Sequence, residues 1–295
     1  MIVFCGYANR DQTVSVPALP GEGARVQATS IHEQDGGMAA NAAVAAARVG
    51  ADVRFAGVLG PDPRSTRFLD ALTRDGIDVR WTPRTGTLTT AIVLLTPDGE
   101  RVVISQDDDL DTERVAAVFD LAAAEGAGWL YLDGYRFPSA EAVLHGRPGP
   151  TVVVDLDGCE GVPAVEAALS LAGHAVIGRS LALDIVGGDE ALAGLARAHQ
   201  VQLIVTDGPK GWTLFGPDGG RHSGAALAVS AVDSTGAGDC FVGVYCAELD
   251  RGADPVSAAA FASVAAGLSC TRYGARDGLP DRQAVLAELD PPRYR

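Results

Sequence analysis

The sequence predicts an α/β fold: a mainly parallel central sheet flanked by helices, with a small second β-sheet set apart from it. Three observations lead there. From Thr112 onward, apolar runs of strand length alternate with helical stretches, an order that builds a parallel sheet covered on both faces. Before Thr112, segments alternating at period two come in two groups separated by helices, the pattern of half-exposed strands. With 295 residues, 47% of them hydrophobic and 21% charged, the chain has material for one large α/β domain or two small ones.

Taken in order, Ile2-Val3-Phe4-Cys5-Gly6 is a buried first strand whose C-terminal end opens into Asn9-Arg10-Asp11. Open α/β sheets take ligands at such ends, and a polar turn is the plain alternative. Thr13–Val16 and Arg25–Ile31 alternate as strands of the small sheet, and Thr90–Thr96, the turn Pro97-Asp98-Gly99 and Arg101–Ser105 add a hairpin. Ala39–Val49 is an Ala-rich helix able to approach the sheet closely, and Ser65–Asp75 is a second helix stopped by Gly76. The alternating region then reads helix Thr112–Ala124, strand Trp129–Leu132, helix Ser139–Leu144, strand Thr151–Val154 and helix Ala164–Leu171. It continues with strand His174–Ile177, helix Glu190–His199 and strand Gln202–Thr206. The loop Asp207-Gly208-Pro209-Lys210-Gly211 precedes a short strand, Trp212–Phe215, and Ala258–Cys270 is a late helix dense in Ala and Ser.

The densest chemical signal is Asp233-Ser234-Thr235-Gly236-Ala237-Gly238-Asp239, running into the apolar helical stretch Cys240–Leu249. Gly236, Ala237 and Gly238 have almost no side chain, so their N–H groups can approach an anion at a helix N-terminus. Asp239 then stands at the mouth of this cradle, where the helix dipole favours its ionised form and it can take a proton from an attacking hydroxyl. Alone, the four residues Gly-Ala-Gly-Asp read equally well as a Gly-rich turn capped by Asp.

A second segment decides between these readings. Asp233–Asp239 with its small, apolar helix resembles the C-terminal signature of the PfkB, or ribokinase-like, family of carbohydrate kinases. Gly36-Gly37-Met38-Ala39-Ala40-Asn41 through Gly50, followed by Phe55-Ala56-Gly57-Val58-Leu59-Gly60-Pro61-Asp62, is similar to that family's N-terminal signature. The resemblance spans the chain and implies one ribokinase-like domain over 1–295, with lid segments at about 12–34 and 82–106. It implies ATP-dependent phosphorylation of a sugar, with Asp239 as base and Gly236, Ala237 and Gly238 as anion hole; a nucleoside or other small alcohol as acceptor is the alternative within the same family. Sugar contacts would come from Asn9, Asp11, Gly36, Gly37 and Asn41, and nucleotide contacts from Thr206, Gly208, Gly211 and Thr235. ATP, Mg2+ and a monovalent cation are the implied cofactors, and a homodimer through the lid is the implied assembly.

The chain departs from the family at one place. Where many members carry N-x-x-E, it reads Gly178-Arg179-Ser180-Leu181, similar to the ketohexokinase and sulfofructose kinase branch. Metal ligands are therefore not assigned; Asp155 and Asp157 could act through metal-bound water or form a solvated loop pair. Arg25 and Arg136 resemble basic residues near the sugar in that branch, which implies a ketose, fructose-like or bearing an anion as sulfofructose does. Arginines covering the surface or pairing with acids are the competing reading.

Composition removes other functions. A formal net charge of -15 disfavours nucleic acid and anionic membrane as partners. Lys210 is the sole lysine and stands in no G-x-x-x-x-G-K-[ST] loop, so P-loop phosphate binding is excluded. No G-x-G-x-x-G follows the first strand, which argues against an NAD-dependent oxidoreductase; a catalytically silent sugar-binding protein would not need Asp239 with its whole cradle. The five cysteines form no C-x-x-C pair and the five histidines no H-x-x-x-H pair, which suits reduced thiols, no zinc site and a cytoplasmic protein. The opening Met1–Cys5 carries no basic n-region and is far shorter than the apolar run of a secretion signal, which again suits a cytoplasmic protein.

Overall fold

The computed structural model describes residues 1–97 and 101–289. In chain order, β1 (Ile2–Cys5), β2 (Asn9–Ser15) and β3 (Ser30–Gly36) lead into α1 (Met38–Arg48), β4 (Val53–Ala56) and α2 (Pro63–Arg74). The hairpin β5 (Thr89–Leu95) and β6 (Arg101–Ser105) precedes α3 (Thr112–Ala124), β7 (Trp129–Asp133), α4 (Ser139–Leu144), β8 (Thr151–Asp155), α5 (Val162–Leu171) and β9 (Ala172–Gly178). The chain then forms α6 (Arg179–Ile185), α7 (Asp189–His199), β10 (Gln202–Thr206), β11 (Trp212–Phe215), β12 (Arg221–Gly224), α8 (Ala237–Asp250), α9 (Pro255–Ser269) and α10 (Arg282–Leu289).

Eight strands form the main sheet in the order β12-β11-β10-β9-β8-β7-β1-β4. The six from β10 to β4 run parallel, and β11 and β12 extend the edge antiparallel. Alternation along β1 shows how the layers form: Ile2 and Phe4 enter the core shared with α1 and α8, while Val3 and Cys5 enter the core under α3 and α5. Buried on both faces, the strands are continuous apolar runs. Among the described residues, no helix is long and apolar enough to cross a membrane.

The small sheet has the order β3-β2-β5-β6, with β2 and β5 parallel. All four strands meet the main body at one end, marked by Asn9, Gly36, Thr89 and Ser105. Thr89 Oγ1 lies 3.3 Å from both Tyr7 Oη and the Ala8 carbonyl, and Tyr7 Oη donates to the Gln106 carbonyl, so this end is tied down.

Arg25–Ile31 is not the strand its alternation predicts. Pairing with β2 begins only at Ser30, opposite Ser15, because β2 ends there and Pro17 has no N–H to continue a ladder. Arg25 therefore lies in an exposed loop. Other boundaries move by a few residues for local reasons: α2 starts at Pro63, since Asp62 accepts from the N–H groups of Arg64 (2.8 Å) and Ser65 (3.1 Å). The predicted Asp98-Gly99 turn lies outside the described residues.

Helices α1 and α8 touch at backbone distance. A Cβ on Gly243 would lie 2.1 Å from the Ala42 carbonyl oxygen, and eight consecutive residues of α1, Ala39 to Ala46, are buried. Gly243→Ala should cost about 1–3 kcal/mol of stability in denaturant unfolding, as overpacking does. Gly194→Ala on α7, where the new Cβ meets nothing within 4 Å, should instead stabilise by about 0.5–1 kcal/mol. Equal effects at the two sites would mean that the helix contact has room to spare.

Candidate active site

The Gly-rich stretch becomes the N-terminus of α8. Gly236 is its cap with φ 74°, a left-handed turn, and a Cβ there would lie 2.7 Å from Ala275 Cβ. The Ala237 N–H donates to the Ser234 carbonyl at 3.2 Å, closing the turn, so Ala237 does not offer the free donor expected of it. The N–H groups of Gly236, Gly238 and Asp239 have no acceptor among the described residues. At Gly238 an added Cβ would meet nothing within 4 Å, so these donors face an open mouth.

Asp239, one residue further, has a neighbour that the sequence placed 198 positions away. Asn41 Nδ2 donates to Asp239 Oδ2 at 2.8 Å, and Arg276 Nε donates to Asn41 Oδ1 at 2.8 Å. Arg276 also donates to the Gly36 carbonyl at 3.3 Å and lies 5.0 Å from the Phe68 ring centre. Arg276 thereby fixes which end of the Asn41 amide faces the carboxylate. Burial pushes the Asp239 carboxyl up to about 7; the Asn41 bond and Arg276 oppose this, while Asp157 and Asp11 add to it. The helix dipole alone suggested a carboxylate held ionised, and desolvation outweighs it. Burial likewise lowers Arg276 to about 10.

On the small sheet, Asn9 Nδ2 donates to Asp11 Oδ1 at 3.0 Å, leaving the buried Asn9 Oδ1 without a partner. Gly36 stands opposite Asn9, and a Cβ there would lie 2.2 Å from Asp11 Oδ2 and 2.6 Å from Asn9 Oδ1. At Gly37, with φ 97°, a Cβ would lie 2.5 Å from Ala8 Cα. Both glycines thus keep the space beside Asn9 and Asp11 clear, and burial raises the Asp11 carboxyl.

Of the two arginines expected near the sugar, Arg25 lies in an exposed loop and Arg136 is drawn into the interior. Arg136 is buried with its fork committed: Nε to Asp133 (3.1 Å), Nη1 to Asp108 (2.9 Å) and to the Leu110 carbonyl (2.8 Å). It neutralises acids beneath the strand ends, a use that its position after Asp133 already permitted.

At the carboxyl ends of the parallel strands stand Asp155, Asp157, Gly178 and Thr206, in neighbouring order. Asp155 Oδ1 accepts from the Asp157 N–H (3.1 Å) and Asp157 Oδ1 from the Gly178 N–H (3.3 Å). Burial and the nearby charges of Asp157 and Asp239 push the Asp155 carboxyl well up. Among the described residues, no three His, Cys, Asp or Glu side chains form a metal-binding group. Gly208 and Gly211 flank a tight turn; Gly211 has φ 97°, and a Cβ there would lie 2.0 Å from the Gly224 carbonyl. Thr235 donates both its N–H (2.9 Å) and its hydroxyl (2.7 Å) to Asp233 Oδ1, whose other oxygen accepts from the Gly274 N–H at 2.8 Å. Asp233 therefore staples the cradle to the loop carrying Arg276, a role that its place two residues before Thr235 could have signalled. Arg276 carried no signal beyond its position in that loop.

Phosphoryl transfer to an alcohol needs donors for the phosphate charge and an acceptor for the alcohol proton. The start of α8 holds both side by side, so the fold and site define a phosphotransferase with an alcohol group as acceptor. The family model described as pfkB family carbohydrate kinase matches residues 1–148 and 162–282, and the chain belongs to that family. It is a carbohydrate kinase. A ribokinase of Bacillus subtilis is 27% identical over 289 residues, covering 96% of this chain and 97% of its own length. A fructokinase of Vibrio alginolyticus is 28% identical over 287 residues, with 88% and 92% covered. Among solved structures, Arabidopsis thaliana ribokinase complexed with ribose and ATP aligns with TM-score 0.82 at 25% identity, covering 100% of this chain and 99% of that one. Thermotoga maritima ribokinase shares the fold with TM-score 0.86 at 24% identity, and 98% of both chains is covered.

The Asp239 carboxyl, followed by NMR, should titrate near pH 7. In Asn41→Ala it should titrate higher, because the bond that favours the charged form is lost. A wild-type midpoint near the ordinary value of about 4 would show the site to be wetter than described.

Proposed function

We propose that this kinase transfers the γ-phosphoryl group of ATP to the hydroxymethyl of a neutral, ketose-type sugar resembling fructose. The observation that carries this reading is the half-buried Asp239 carboxyl, poised near 7 beside the unpaired N–H groups of Gly238 and Asp239. Asp239 accepts the hydroxymethyl proton as the oxygen attacks in line. The amides at the start of α8 take up charge developing on the transferred group, and one such donor is worth about 3–4 kcal/mol. Asn9 Oδ1 accepts a sugar hydroxyl, which supplies its missing partner, and Asp11 takes another. A neutral sugar is favoured because Arg25 is exposed in a loop and Arg136 is already paired.

The strand ends suit the nucleotide phosphates, with Thr206, Gly208 and Gly211 along their path. Asp155 and Asp157, neighbouring carboxyls whose repulsion a cation would relieve, fit Mg2+ and would hold it; bound there, it would supply neutralising charge to the phosphates. Assembly as a homodimer through the small sheet is supported by Ile31, Val102 and Ile104, which share one face and are 57%, 41% and 55% exposed.

Asp239→Asn should fold normally, bind ATP and lose roughly a hundredfold or more in turnover. Wild-type kcat/KM should fall as pH drops below about 7, since the base then carries a proton. Gly238→Val should keep its melting temperature, because the side chain enters open space, while losing phosphoryl transfer. Near-normal turnover in either variant removes that residue from the mechanism. For the substrate, kcat/KM is compared among fructose, ribose and sulfofructose. Fructose should lead, with Arg25→Ala changing each value less than about twofold. Preference for ribose replaces the ketose by a pentose, and preference for sulfofructose restores an anionic sugar.

A further inference from the structure

A cleft of about 400 Å³ lies between the small sheet and α2, lined by Arg10, Gln12, Glu33, Arg64, Arg67 and Thr90. It is separate from the site above. Side chains alternate along β2, so Asn9 and Asp11 face the catalytic side while Arg10 and Gln12 face the opposite one. Register places Glu33 opposite Gln12 and Thr90 opposite Arg10 on that same face. Arg64 and Arg67, three residues apart, project from one side of α2.

The charge in this cleft is unusual for the chain. Three guanidinium groups meet two carboxylates, Glu33 in the lining and Asp35 beside it, in a protein of net charge -15. Arg10 pairs with Glu33 at 3.1 Å and Asp35 at 3.0 Å, and Arg64 donates to Thr90 Oγ1 at 3.3 Å. Arg67 makes no hydrogen bond or ion pair among the described residues. Half-exposed pairs such as Arg10 with Glu33 contribute little, so Arg10 can exchange that partner for a ligand at small cost. Planar forks converging from two elements suit the oxygens of a tetrahedral dianion.

We propose that this cleft binds a phosphate dianion, either inorganic phosphate or the phosphate group of a small ester, bridging Arg10 of the small sheet to Arg64 and Arg67 of α2. Because Arg10 lies between Asn9 and Asp11 on one strand, such a ligand ties the strand that carries the sugar-side groups to the body of the protein.

The test is calorimetric titration of the full chain with inorganic phosphate and, separately, with glucose 6-phosphate. It is run in low salt with a saturating non-hydrolysable ATP analogue present, so that its γ-phosphate occupies the catalytic cradle. One site per chain is expected, with a Kd of about 1 mM or below. Arg67→Ala should weaken it roughly tenfold and Arg64→Ala with Arg67→Ala should abolish it, while Arg25→Ala, an exposed arginine elsewhere, leaves it unchanged. Added salt should also weaken it. Binding of both probes assigns the site to any phosphate group, and binding of inorganic phosphate alone assigns it to the free ion. Absence of binding at about 10 mM, or equal binding by wild type and the double variant, overturns the proposal. Both α2 side chains are exposed, so unchanged melting temperatures should accompany the loss.

Discussion

The site depends on the close approach of α1 and α8. Asn41 belongs to one helix and Asp239 to the other, and the 2.8 Å bond between them exists because Gly243 lets the helix backbones meet at Ala42. Small residues do this on both sides: α1 offers an almost unbroken run of alanines, and α8 places its glycine where the backbones cross. The two segments that suggested a family in the sequence are thus two halves of one packing contact. Their shared smallness serves geometry first and chemistry through it.

Electrostatics at the strand ends shows a second constraint. Asp133, Asp155, Asp157 and Asp239 gather where the parallel strands finish, and burial makes each additional charge expensive. The protein answers with individually placed cations. Arg136 is buried against Asp133 and Asp108, and Arg276 reaches Asp239 through Asn41. Arg276 reaches Asp239 only through Asn41, and burial pushes the Asp239 carboxyl up to about 7.

Much of this was legible from the chain alone. The helices Thr112–Ala124 and Ser139–Leu144 and the strands Gln202–Thr206 and Trp212–Phe215 coincide with their predicted ranges, because their apolar runs are bounded by clear turn residues. β4, β12 and α10 were not assigned: Val53–Ala56 is short and includes Arg54, and Arg221–Gly224 is polar, so neither advertises a strand. Arg25–Ile31 failed over its first part for the opposite reason, having the right alternation but no strand opposite it before Ser30. At the site, glycines and acids could be read from local pattern. The closed Ala237 amide, the committed fork of Arg136 and the reach of Arg276 could not, since each depends on what tertiary folding brings alongside.

The attachment of the small sheet has a mechanical consequence. Its strands enter and leave the body at the end where Asn9, Gly36 and Thr89 lie, while Ser15, Ser30 and Leu95 mark the far end. It is a cantilever clamped beside Asn9 and Asp11. When such a beam bends, displacement is smallest at the root and largest at the tip, so the tip can sweep through solvent or against another molecule while Asn9 and Asp11 hardly move. A sheet hung this way can move at its tip without disturbing the Asn9–Asp11 hydrogen bond at its root.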